Sequence, residues 1–103
     1  MLCFLTHRRL KPGSFDQFRA AWEGDGPPGG MAGRAYHVRS LEDPDEVISF
    51  GLFDLTPADL ERMKQDTAGG EAEARRQERM APFVERTGVD GIFEVVEEIG
   101  FGG

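Results

Sequence analysis

Two histidines, His7 and His37, are the side chains here best suited to move a proton near neutral pH. Each has a plain alternative, a strand histidine with satisfied hydrogen bonds and no chemistry. His37 lies in "GRAYHVRS", where Tyr36 and Val38 alternate with Ala35, His37 and Arg39. The more apolar pair is expected to face the helices, which aims His37 at the opposite face, and a shift of one residue reverses this. His7 shares a strand face with Cys3 and Leu5; it either lines the same space or ends in solvent beside Arg8 and Arg9. Phe15, Phe18 and Trp22 recur at helical spacing and read as pocket wall or as ordinary core. Tyr36 offers a hydroxyl donor, and Arg34 and Arg39 offer cations for an anionic ligand oxygen. Their plain alternatives are an amphipathic boundary residue and solvated edge charges.

Other chemistries find little footing. Cys3 is the single cysteine, makes no internal disulfide, and reads as a small buried filler without an activating partner. No serine stands in a nucleophile-elbow context. The run "GDGPPGG" has two prolines and no lysine, so it is no phosphate-binding loop. The acidic stretch "LEDPDE" lacks the glycine and downstream glutamate of a helix-loop-helix calcium site and has no His or Cys for a transition metal. Asp43-Pro44-Asp45 is instead good turn chemistry, which makes the acids solvated hairpin residues that set the register of the flanking strands. No metal and no cofactor are expected.

The elements that must position these residues follow from patterning. "LCFLTHR" reads as a strand, "LKPGS" breaks it, and Ser14 with Gln17 makes a capping box for a helix whose one face is aromatic. "GDGPPGG" ends that helix. Strands are expected over 33–40 and 47–54, the second with Ile48, Phe50 and Leu52 on one side and Val47, Ser49, Gly51 and Phe53 on the other. Thr56 is an N-cap with Pro57 at the first helical position. "TAGGE" interrupts this helix, a second one resumes over 71–88 with a kink or a new turn at Pro82, and a last strand spans 91–100. The order β-α-β-β-α-β implies an α+β, ferredoxin-like sandwich: a four-stranded antiparallel sheet with the helices on one face, in a single domain over 1–103. Both sheet faces are apolar enough to want cover, and two helices cover only one. A second copy packed sheet to sheet, a homodimer, is the simplest cover for the other.

The net charge of −7 opposes binding to nucleic acid and gives no reason to expect an anionic membrane as partner. The first ten residues run apolar then basic, the reverse of a secretory signal, and no run approaches the roughly 20 apolar residues of a membrane span. A cytoplasmic protein is the expectation.

Three stretches carry a resemblance. "KPGSFDQFRAAW", "RSLEDPDEVISFGLFDLTPADLERM" and "APFVERTGVDGIFEVVEE" resemble the first helix, the central hairpin with its following helix, and the closing segment of antibiotic biosynthesis monooxygenase-like (ABM) proteins. The resemblance implies a dimeric α+β barrel with a small-molecule cavity between sheet and helices. It implies a cofactor-independent monooxygenase acting on a small electron-rich aromatic, a quinol or polyketide phenol. His37 would then be the candidate base, with His7 a weaker one, and Tyr36, Arg39, Phe53, Trp22 and Phe18 would bind substrate. Where relatives often carry a tryptophan at the end of the third strand, this chain has Phe53 in its place. The haem-degrading branch relies on an asparagine and a helical histidine; there is no asparagine here and both histidines fall on strands.

Three other readings compete. One is a non-catalytic, small-ligand-binding or stress-related homodimer, suggested by the lack of an unambiguous catalytic constellation. A lyase or isomerase would use the same histidine on the same scaffold. An RNA-recognition module has the same element order, but the basic flank it needs is missing.

Overall fold

A computed structural model describes residues 1–23 and 32–102. Its elements are β1 (Leu2–Leu10), α1 (Phe15–Glu23), β2 (Gly33–Arg39), β3 (Glu46–Phe53), α2 (Pro57–Lys64), α3 (Thr67–Met80) and β4 (Val84–Glu94), with a single 3-10 turn at Ala81–Phe83 before β4. The four strands form one antiparallel sheet in the order β2-β3-β1-β4. This is the ferredoxin-like α+β arrangement read from the sequence.

Local chemistry explains most of the boundaries. The "KPGS" break is a tight turn closed by Ser14 N–H donating to the Lys11 carbonyl at 3.1 Å, with Gly13 at φ 72°, the left-handed region that glycine enters freely. Thr56 and Asp59 cap α2 reciprocally, each side chain bonding the other's backbone N–H, with Pro57 in the first turn. The break expected over Gly24–Gly30 lies outside the described residues.

Two boundaries differ from the expectation. "TAGGE" does not interrupt a helix: the chain breaks at Gln65–Asp66, and α3 runs through Gly69 and Gly70 in its first turn. The helical pattern read over 71–88 stops at Met80, because Pro82 lacks the N–H that would continue it. β4 therefore starts at Val84 and ends at Glu94, well ahead of the 91–100 strand anticipated. Its extra residues enter through two register shifts against β1, between Thr6 and Arg8 and between Arg9 and Leu10.

The core sits between the helices and one sheet face. Leu10, Phe18, Val47 and Met80 are fully buried, with Phe15, Trp22, Phe83 and Val84 packed against them. Burial of Phe18 alone contributes about 1.5–3 kcal/mol. Leu2, Phe4, Thr6, Arg8 and Leu10 of β1 share this helix-covered face with Val47, Ser49, Gly51 and Phe53 of β3, as register and alternation require. The opposite, open face carries Leu5, His7, Ile48, Phe50 and Leu52, together with Tyr36 and Val38, which are 43% and 42% exposed. Cys3 is also on this face, half-buried rather than buried.

Candidate functional site

The expected facing of β2 is reversed. His37 points at the helices, and Tyr36 and Val38 point away. Tyr36 stacks on Phe50 at 5.2 Å on the open face, which settles the direction of the whole strand. The pair with more carbon went to the side where β3 already offered Phe50 and Ile48, since cross-strand neighbours stabilise one another directly.

His37 pairs across the sheet with Ser49, Ser49 with Thr6, and Thr6 with Asp90, so these four residues form one rung across all four strands. Within the rung the His37 Nδ1 and the Ser49 hydroxyl share a hydrogen bond of 2.7 Å, and the Thr6 hydroxyl donates to Asp90 Oδ1 at 3.0 Å. Ser49 is 5% exposed, while Asp90 is exposed. The polar rung thus crosses the sheet from one edge strand, β2, to the other, β4, and is most buried at Ser49. Of the four only Ser49 is buried, and its hydroxyl is satisfied by His37.

Helix α1 closes over the His37 end. Trp22, Phe18 and Phe15 stand edge-on to the imidazole with centroids at 4.5, 5.7 and 6.2 Å. Burial in this aromatic box lowers the His37 pKa below its usual value, and the positive charges of Arg8, Arg19 and Arg76 push it the same way against Glu23. The imidazole of His37 therefore favours its neutral form at pH 7.

Two arginines flank the box. Arg8, 5% exposed, lies over the Phe18 ring at 5.3 Å. Arg76 of α3 lies over Trp22 at 5.2 Å and donates to the Trp22 carbonyl at 3.4 Å and to Glu73 Oε1 at 2.8 Å. Burial, then Arg76, lowers the Arg8 pKa against the pull of Asp90 and Glu73. Burial pushes the Glu73 carboxyl up, but hydrogen bonds from Arg76 and Gln77 outweigh it and hold it below the usual range. Arg39 stacks on Phe15 at 4.8 Å at the exposed rim.

The structure gathers His37, Trp22, Phe18 and Arg39 at one place. It leaves others elsewhere. Phe53 shares the helix-covered face but sits further along, edge-on to Phe4 at 5.4 Å. Tyr36 and His7 are on the open face, separated from His37 by the sheet. His7 Nε2 meets Glu46 Oε2 at 2.5 Å, and its ring occupies the space a Cβ at Gly88 would need. Arg9 holds Asp43 and Glu46 at 2.7 and 2.8 Å and Glu85 at 2.9 Å. The hairpin acids are thus not simply solvated, because Arg9 and His7 bring two of them onto the sheet. The turn itself is as read: Asp45 N–H donates to Asp43 Oδ1 at 3.0 Å, and Glu46 N–H to the Asp43 carbonyl at 3.1 Å.

Arg8, Ser49, Thr6, Asp90 and Arg76 were missed as site residues. The available signal was phase: Thr6 and Arg8 alternate with Leu2, Phe4 and Leu10, and Ser49 with Val47 and Gly51.

Two open hollows reach Arg39 at the rim, and neither is lined by His37, Ser49 or Arg8. One of about 270 Å³ is lined by His7, Val38, Arg39, Ser40, Glu46 and Ile48, and one of about 300 Å³ lies at the start of α1 beside Asp16 and Pro44. Among the described residues no group of three His, Cys, Asp or Glu is placed to hold a metal, and no helix is long and apolar enough to cross a membrane.

No protein-family model and no curated protein matches the chain. Solved structures do. A "putative antibiotic biosynthesis monooxygenase" from Chloroflexus aurantiacus superposes with a TM-score of 0.64 at 18% identity, covering 98% of both chains. Another so described, from Nitrosomonas europaea, superposes with a TM-score of 0.64 at 14% identity over 94% of this chain and 100% of its own. Over nearly its full length, then, this chain has the ferredoxin-like fold of structures described as antibiotic biosynthesis monooxygenases, at identities that speak for the fold alone.

Proposed function

We propose that the chain is a cofactor-independent monooxygenase for a small electron-rich aromatic, a quinol or polyketide-type phenol, bound over the polar rung between sheet and helices. The observation that carries this reading is His37, neutral, held by Ser49 and walled by Trp22 and Phe18. The structural likeness to chains described as monooxygenases supports it.

Such a reaction asks the protein for three things: a dry wall, a base and a fixed ring orientation. His37 takes a phenolic proton, and the aromatic box keeps water from the resulting phenolate. The electron-rich ring passes one electron to O2, and superoxide and the ring radical combine at carbon. Loss of the ring proton and cleavage of the O–O bond release water. The sum for a quinol is quinol plus O2 giving hydroxyquinone plus H2O, with O2 as the only oxidant. Arg39 at the rim is the partner for a second phenolic oxygen. Phe53 is too far along the face to clamp the same ring, and Tyr36 and His7 take no part from across the sheet.

The same proposal includes a homodimer through the open face. Half-buried Ile48, Phe50 and Leu52 and the exposed Tyr36, Val38 and Phe93 are the apolar surface that supports it.

Oxygen uptake across a panel of hydroquinones and polycyclic phenols tests the activity, with sedimentation at the same concentrations testing the dimer. Wild type is expected to consume O2 and His37→Ala to lose about 100-fold or more, the contribution of a positioned base. Full activity in His37→Ala removes the base assignment. A non-catalytic binding dimer is the second reading, favoured by the close packing of Trp22 and Phe18 on His37, and it predicts saturable binding of the panel without uptake. A base-driven lyase or isomerase would convert substrate with no oxygen consumed.

A further inference from the structure

The Arg8 guanidinium is the least explained group in the molecule. It is 5% exposed, and its Nη1 has no hydrogen-bond partner. None of the ion pairs among the described residues includes it. The Nε of Arg76 is likewise buried and unpartnered. The acids that influence Arg8 are engaged elsewhere: Asp90 accepts from Thr6, and Glu73 accepts from Arg76 and Gln77. A chain with net charge −7 has thus buried the Arg8 cation, with half-buried Arg76 paired to Glu73, and kept its own carboxylates off the Arg8 Nη1. An unpaired buried charge is strongly destabilising, so the arrangement makes sense when an anion completes it.

We propose that the aromatic ligand of the proposed function is an acid, its carboxylate docking on the free Nη1 of Arg8. The guanidinium fork matches two carboxylate oxygens, whereas a neutral group would leave the buried charge unmet. Phe18 and Trp22 each hold one of the two guanidiniums over a ring face, which fixes where the cations stand. This rests on the aromatic ligand of the proposed function but not on its oxygen chemistry.

The test is calorimetric binding under nitrogen of gentisate and of its carboxamide, which share a dihydroxylated ring and differ by one charge. Gentisate is expected to bind about tenfold tighter or more, the worth of a charge-assisted hydrogen bond. Arg8→Met should erase that preference, leave carboxamide binding in place and raise the melting temperature, since an unpaired buried cation is replaced by a fitting apolar chain. Arg75→Met, an exposed change on α3, should leave the preference intact. If Arg8→Met does not fold, Arg76→Met reads the same preference and should cut it about threefold or more. Equal affinity for the two probes, a preference that survives removal of Arg8 (or of Arg76 where Arg8→Met does not fold), or no binding of either overturns the inference. Because turnover is excluded, an intact preference without oxygen uptake in air sinks the monooxygenase reading alone. Uptake without the preference sinks this inference alone.

Discussion

Ser49→Ala isolates the one hydrogen bond that fixes the proposed base. Ser49 is 5% exposed, and its hydroxyl meets His37 Nδ1 at 2.7 Å. A typical intramolecular hydrogen bond has a net worth of about 0.5–1.5 kcal/mol, and a buried partner left unsatisfied costs about 1–3 kcal/mol. His37 is only half-buried, so water can recover part of the loss, and we expect about 1–2 kcal/mol in all. For a domain of this size that lowers the melting temperature by about 4–8 °C per kcal/mol. Urea unfolding of wild type, Ser49→Ala, His37→Leu and the double variant, all at one protein concentration, gives the coupling directly. A coupling near 1 kcal/mol is expected, because His37→Leu already removes the partner that Ser49→Ala orphans. In the same variants kcat should fall more than KM changes, since a ring that turns freely still binds but no longer presents its nitrogen. Losses that add within about 0.5 kcal/mol would mean that the two side chains do not interact, and the base would lose its anchor.

Protonation of His37 should be visible in stability. Its folded pKa lies below the ordinary 6.5 through burial, then Arg8, so the contribution is fully present above pH about 6.5 and is lost as pH falls through the folded value. Melting temperatures from pH 7.5 down to 5 should therefore decline, and the decline should flatten in His37→Gln; NMR titration of the ring in Arg8→Met should return the pKa upward. Asp43, Glu46, Asp59 and Glu73 titrate below their usual values and act only at more acidic pH, outside this window. Gly51→Ala would place a Cβ 2.4 Å from Phe53 Cε2, so the ring must leave Phe4, at a cost of about 1–3 kcal/mol in urea unfolding. Adding Phe53→Ala should remove that clash, leaving the pair no worse than Phe53→Ala alone.

Much of the fold was legible because it is written locally. The turn at Gly13, the Thr56 cap and the Asp43-Pro44-Asp45 hairpin each follow from a few adjacent residues whose preferred geometry survives in the folded chain. The alternation of β3 was readable for the same reason. The last third was harder. Val84–Glu94 reads "VERTGVDGIFE", with little alternation to announce a strand, and it is β1 that supplies its pairing and absorbs its two irregularities. The glycines of "TAGGE" looked like a break because their cost in a helix is real, yet α3 accommodates them in its first turn.

By itself, then, the sequence determined the element order, the antiparallel hairpin, the acidic charge, an aromatic helix face and a histidine on the second strand. Only the tertiary structure decided which way that histidine points. A period of two fixes which residues share a side and says nothing about which side the helices take when both are apolar. The choice fell to contacts between residues far apart in the chain, Tyr36 on Phe50 and Trp22 on His37. The same long-range packing buried Arg8, which local hydropathy assigns to solvent, beneath α1 and beside Arg76 of α3. A charge becomes chemically informative only when its neighbours withhold both water and a partner, and that is a property of the assembled interior.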